Sequence, residues 1–282
     1  MPLTPRTHAP VASAERAVVT ALRRAGSARR AAGMRAYFKR DDTVTFYGVA
    51  LPEIRRIARD TWTERRDAWD VATATAFCDR LVRRPQLEAK AVGVLVLARW
   101  RRDFPNGLLG TVRRWLHAGH GASWAAVDLI APSLLTPLIE RDPALLATLT
   151  GWTRARSLWV RRAAAVALVP LARKGRALPE AYRVATALFD DHHDLIHKAV
   201  GWLLREAGKT DATRLERFLR RHGPAIPRTT LRYAIERFPA TRRRQLLLET
   251  RPPRRGSRSL HRTRSRAPRT ARGTGAGGRS TS

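Results

Sequence analysis

A single cysteine, Cys78, in 282 residues excludes an intrachain disulfide and fits a reducing cytoplasm. No His/Asp partner pattern surrounds it, so Cys78 reads as a core residue rather than a nucleophile. Long apolar runs are also missing. Arginine interrupts each candidate before it nears the roughly 18 residues of a membrane span, so no membrane segment is expected. The opening MPLTPRTHAP lacks the basic-then-apolar order of a secretion signal. No Gly-rich loop of the P-loop or dinucleotide type occurs, and no cofactor is expected. Acids are few: 23 Asp+Glu stand against 55 Lys+Arg, for a formal net charge of +32. An excess of that size makes a polyanion the expected partner, nucleic acid ahead of a membrane surface.

What is present is helical and globular. Hydrophobic residues make up 44% and charged residues 28%, enough for a sizeable core. Residues 1–12 are expected to be disordered and residues 13–250 to form one folded domain. The tail 251–282 carries ten Arg and no acid amid Gly, Ser, Thr and Pro, which predicts a disordered basic arm. Taking those ten charges from +32 leaves +22 on residues 1–250, so the folded part is strongly basic by itself. Its apolar spacing is mostly helical, with Ala, Leu and Arg dominant and breaks at sites such as Arg84-Pro85, Asp142-Pro143 and Leu178-Pro179.

Three of these helical stretches align: EAKAVGVL (88–95), VRRAAAVA (160–167) and IHKAVGWL (196–203). Each carries a base (Lys90, Arg162, Lys198), then Ala, then Gly93, Ala165 or Gly201 three residues after the base. The offsets of 72 and 36 residues give a period of 36. The missing register falls at Ala126, inside SWAAVD (123–128). A period near 36 with small residues at packing positions predicts an all-α solenoid of HEAT-like repeats with a concave basic face. Equivalent helices of successive repeats line one face, so Lys90, Trp124, Asp128, Arg162, Lys198 and Trp202 are expected to converge there.

Asp128 is the odd residue in that set. One reading makes it a helix cap before LIAPSLL, with Pro132 near the first turn. The other makes it a site acid four residues from Trp124, on the same helical face.

Four stretches resemble the HEAT-like-repeat DNA alkylation repair family, the AlkD type of alkylpurine DNA glycosylase. They are YFKRDDTVTFYGVALPEIRRIAR (37–59), SWAAVD (123–128), SLWVRRAA (157–164) and LIHKAVGWLLREAGK (195–209). They run in family order over roughly residues 15–245. The last is the most distinctive, since the family typically shows K-A-[IV]-G-W-x-L-R-E there. The resemblance implies that Asp128 is the catalytic carboxylate and that Trp124 and Trp202 pack against the deoxyribose of the damaged nucleotide. It further implies that Arg162 holds the DNA backbone near the lesion and that Tyr37 reaches the nucleic acid from the other side. Lys90 and Lys198 are expected to contact phosphates. One departure is visible: the family often reads W-D-x-V-D, whereas Ala125 stands in the first acid's place.

The implied substrate is duplex DNA bearing N3- or N7-alkylated purines, and a monomer is expected. A cationic purine leaves the sugar as a neutral base, so one carboxylate suffices where most glycosidases need two. The contrasting reading is a non-catalytic HEAT-like module that binds damaged, bent or branched nucleic acid, or a protein partner. Asp128 discriminates the two, because a pure phosphate-binding surface gains nothing from a carboxylate. Trp115, Trp152 and Trp159 read as packing residues. In DDHHDLIH (190–197), His193 and His197 stand four apart, but no third ligand accompanies them and no metal is expected.

Overall fold

Good helix formers at helical spacing produce helices throughout, and among the described residues there is no strand, only one isolated bridge between Thr45 and Gln86. The computed structural model describes residues 8–38 and 44–251. Helices α1 (His8–Ala25), α2 (Ala28–Arg35) and α3 (Leu51–Arg65) come first. A pair follows, α4 (Val71–Val82) with α5 (Leu87–Leu97), and then α6 (Leu108–His117) with α7 (Trp124–Ile130). Helix α7 runs through a π turn at Ala131–Leu135 into α8 (Thr136–Arg141). Next are α9 (Leu145–Gly151) with α10 (Leu158–Val166), α11 (Val169–Arg173), and α12 (Leu178–Ala187) with α13 (Asp194–Ala207). The last are α14 (Ala212–His222) with α15 (Arg228–Ala234), and α16 (Ala240–Glu249).

The second helices of the pairs begin at Leu87, Trp124, Leu158, Asp194 and Arg228, at steps of 37, 34, 36 and 34 residues. They lie side by side in chain order, α5 on α7, α7 on α10, α10 on α13 and α13 on α15. All four aligned stretches fall on this inner row, so the expected all-α helical repeat is the observed fold. The first helices back the row; α12, for example, rests on both α10 and α13. Trp115 and Trp152 are buried between the layers, Trp159 packs against the core, and Cys78 is fully buried with its thiol pKa pushed up by desolvation. No helix among the described residues is long and apolar enough to cross a membrane.

The folded body begins earlier than expected. Helix α1 starts at His8 and Val11 is buried in the core, so residues 8–12 belong to the body rather than to a disordered lead. The apolar periodicity of VASAERAVV simply extends back through Val11. The expectations for residues 1–7 and for the tail from residue 252 lie outside the described residues.

Gly201 sets how closely the last two inner helices approach. A Cβ there would lie 2.4 Å from Tyr233 Cβ and 2.8 Å from the Thr230 carbonyl oxygen. Thr230 Oγ1 also donates to the His197 carbonyl at 3.0 Å. Gly201→Ala is therefore expected to cost about 1–3 kcal/mol through overpacking. Gly33→Ala on exposed α2, where an added Cβ meets nothing within 4 Å, should instead stabilise by roughly 0.5–1 kcal/mol. Urea unfolding of the two variants beside wild type checks both signs.

Candidate active site

Ser123 starts the site. Its side chain accepts the Ala126 N–H at 3.2 Å and caps α7, which begins at Trp124. Asp128 is thus interior to the helix and caps nothing, which removes the capping reading. Trp124 and Asp128, four apart, share one face as the sequence suggested. Pro132 has no N–H to donate to the Asp128 carbonyl, and the helix widens there into the π turn.

The cleft at this point has a volume of about 380 Å³ and is lined by Asp128, Trp124, Arg162, Lys198, Trp202 and Tyr37, together with Leu195, Arg205 and Tyr233. Six of the seven sequence-predicted site residues therefore come together, from α7, α10, α13 and the end of α2. Lys90 does not. It is only 7% exposed, and its Nζ donates to the carbonyls of Val82 (2.6 Å) and His120 (2.7 Å). It ties down the last carbonyl of α4 and the loop after α6, a structural role, and desolvation lowers its pKa to about 8. The same repeat slot at Lys198 stays at the cleft, where Nζ pairs with Asp194 at 2.8 Å and its pKa is raised.

Arg162 is engaged within the site. Its guanidinium faces Asp128, with Nε donating to Oδ1 at 2.9 Å and Nη2 to Oδ2 at 2.7 Å, a fork-to-fork pair. Nη1 donates to the Leu195 carbonyl. The residue is 5% exposed. The fork is engaged with the carboxylate, so Arg162 holds Asp128 in this structure. Burial raises the Asp128 pKa above the ordinary 3.8, and the hydrogen bonds and charge of Arg162 oppose that rise. With its side chain 21% exposed, Asp128 remains reachable from the cleft.

Aromatic contacts place the near wall. Phe38 stacks on Trp124 with centroids 5.2 Å apart and rings 15° from parallel, and Phe46 leans on Phe38 at 5.2 Å. Beneath them Glu88, fully buried, accepts the amides of Tyr47 (3.1 Å), Gly48 (2.8 Å) and Val49 (3.2 Å). Gly48 sits at φ +77°, and a Cβ there would lie 2.1 Å from the Ser27 carbonyl oxygen. That anchoring fixes residues 47–49 against the start of α2, and Tyr37, just past the other end of α2, is 83% exposed beside the cleft. Trp202 is half-buried, one side on the core and the other in the cleft.

Sequence reasoning missed Tyr233, Arg205, Phe38 and Glu88. Tyr233 stands one period of 36 after His197, which was not a site candidate, so the repeat carried no signal for it. Arg205 lies within the quoted LLREAGK string; it pairs with Glu236 across to α15. His193 caps α13 by accepting the Leu195 N–H, and His197 contacts the Asp191 carbonyl. Among the described residues no group of three His, Cys, Asp or Glu is placed to hold a metal.

Over residues 18–238 the chain matches the family model described as DNA alkylation repair enzyme. No curated protein matches the sequence. Among solved structures, the fold is similar to that of a protein from Enterococcus faecalis described as a predicted DNA alkylation repair enzyme, with a TM-score of 0.66 and 19% identity. The match covers 76% of this chain and 97% of that one. At that identity the likeness speaks to the fold.

Proposed function

The chain belongs to the DNA alkylation repair enzyme family, and from that premise we propose that it is a DNA glycosylase that hydrolyses the N-glycosidic bond of cationic N3- and N7-alkylated purines in duplex DNA. The observation that carries this reading is Asp128. Among the described residues it is the one carboxylate lining a cleft whose other walls are mostly aromatic rings and bases, and a bidentate arginine holds it in place.

An alkylated purine with a positive ring departs neutral, so its departure needs no general acid. As the bond stretches, positive charge grows on the deoxyribose. Asp128 meets that charge in a partly desolvated cleft, where a fixed carboxylate stabilises it without reorganising, and the same oxygens orient water for attack at the anomeric carbon. The indoles of Trp124 and Trp202 add cation–π attraction of about 0.5–2 kcal/mol each when desolvated. Lys198 and the exposed Tyr37 flank the cleft where a backbone would pass, and they take the phosphate- and strand-contacting roles. Arg162 acts through Asp128 as a positioning residue.

The test is the identity of the product. Mass spectrometry of methylated duplex DNA treated with the protein should find free 7-methylguanine or 3-methyladenine and abasic sites. Unmodified purines left in an intact strand would mean removal of the alkyl group instead, and would overturn the reading.

The tail is expected to contribute affinity rather than chemistry. Deleting residues 251–282 removes ten arginines and should weaken duplex binding and flatten its salt dependence, with base release at low salt intact. Titrations at several salt concentrations measure this. An equal loss of release at low salt would place the tail in the active machinery.

A further inference from the structure

On the outer layer, helix α14 carries a second charged cleft that the reaction does not use. Its sequence ATRLERFLRRH sorts by helical face. Leu215 and Leu219 are buried in the core. Glu216 pairs with Arg220 and Arg242, and Arg220 with Glu249. The remaining face presents Arg214, Arg217 and Arg221 at spacings of three and four, with Phe218 and His222 beside them. Tyr182 of α12 stands opposite, and the six residues line a cleft of about 320 Å³. Asp211 is engaged as the cap of α14, accepting the Arg214 N–H at 2.8 Å.

Two features make this more than a solvated basic face. First, among the described residues no carboxylate pairs with Arg214, Arg217 or Arg221, although carboxylates satisfy many of the arginines elsewhere on the chain, as at Arg56, Arg83, Arg161 and Arg242. Second, the floor is aromatic. Phe218 lies 4.6 Å from Tyr182 and 4.5 Å from His222, centroid to centroid, and Arg214 sits 5.1 Å over the Tyr182 ring. Burial keeps the Tyr182 phenol neutral, with its pKa pushed up to about 12, so the floor adds no competing negative charge.

We propose that the α12–α14 cleft is a second nucleic-acid site, which takes a nucleotide of a single strand with its phosphates at Arg217 and Arg221 and its base against Phe218 and His222. Unpaired guanidiniums beside rings are the combination that binds single strands, because every base offers a π face. A duplex keeps its bases stacked and would leave the ring floor unused. The cleft is on the outer layer, whereas Asp128, Arg162 and Trp202 are on inner helices, so a strand can occupy it while a duplex lies across the inner row. The proposal is independent of the reaction assigned to Asp128.

The test uses the full chain and a fluorescein-labelled thymidine hexanucleotide, read by fluorescence anisotropy. Arg217 and Arg221 are exposed and unpaired, so Arg217→Gln/Arg221→Gln should fold normally, as thermal melting will check. The double variant is expected to bind the hexanucleotide about tenfold more weakly, with its log–log salt slope reduced by about 1.4 for two lost phosphate contacts. Phe218→Leu should weaken binding about tenfold with the salt slope unchanged, as loss of one stacked base requires. Unchanged affinity in the double variant overturns the site. A loss in the arginine variant with none in Phe218→Leu overturns the nucleotide reading in favour of bare charge attraction. Tighter binding of a phosphotyrosine peptide than of the hexanucleotide, abolished by the same variants, overturns it in favour of a protein partner.

Discussion

Asp128→Asn is expected to slow release of 7-methylguanine from methylated duplex DNA by about 10²–10³-fold, the usual effect of removing one aimed electrostatic group from an active site. The substitution keeps volume and shape and deletes the negative charge. Duplex affinity should stay within a few-fold of wild type, because one fewer acid on a basic face does not repel phosphate. The new amide NH₂ would meet the Arg162 fork donor to donor, so thermal melting must accompany the rate measurement. Loss of release with melting and binding retained carries the catalytic assignment. Release that persists in Asp128→Asn sinks it. Binding by both proteins with release by neither makes the fold a non-catalytic DNA-binding module. The wild-type pH profile gives a second reading of the same group. Asp128 must be ionised to act, and burial has raised its pKa above 3.8. Release should therefore fall with decreasing pH through a value above that of an exposed aspartate.

Arg162→Gln is expected to slow base release about 100-fold at neutral pH, since it frees Asp128 to leave its aligned position. It should also move the acid limb of the rate profile to higher pH. The sign follows from the pair itself: Arg162 lowers the Asp128 pKa by hydrogen bonding and by charge, and without it only burial remains. Breaking a buried pair in this way costs about 3 kcal/mol when the remaining charge is left alone. Asp128 escapes part of that cost by holding its proton. The variant's folded state then keeps a proton that the unfolded chain gives up, so its stability is lost as pH rises from 3.8 through the raised folded value. Single-turnover rates and melting temperatures across pH measure both effects. A limb that stays in place, together with weakened binding to every DNA sequence, would return Arg162 to a backbone-contacting role.

The helical repeat was legible because helix periodicity is a local property. Spacing, small residues and breaks put all four aligned stretches on inner helices, and the shared face of Trp124 and Asp128 needed only the pitch of one helix. The basic balance and the tail were equally readable, being sums over residue types. Lys90 and Arg162 both turn on partners about one period away, His120 and Asp128. Lys90 and Lys198 occupy the same slot with the same side chain, yet only Lys198 lines the cleft. What separates them is neighbourhood: the last carbonyl of α4 and the His120 carbonyl draw Lys90 inward, whereas Asp194, one turn before Lys198, holds it at the surface.

Arg162 shows the same limit. Its charge is plain in the sequence, but its use depends on Asp128, 34 residues earlier, arriving at 2.7 Å through the contact of α7 with α10. Tyr233 enters the cleft only because Gly201 has no Cβ to hold α15 away. The sequence by itself determined the helices, their period, the polyanion partner and most of the residues that gather at the cleft. The tertiary structure decided which of those charges are offered to a ligand and which are consumed within the protein, because a side chain's partner is set by packing between helices rather than by spacing along one.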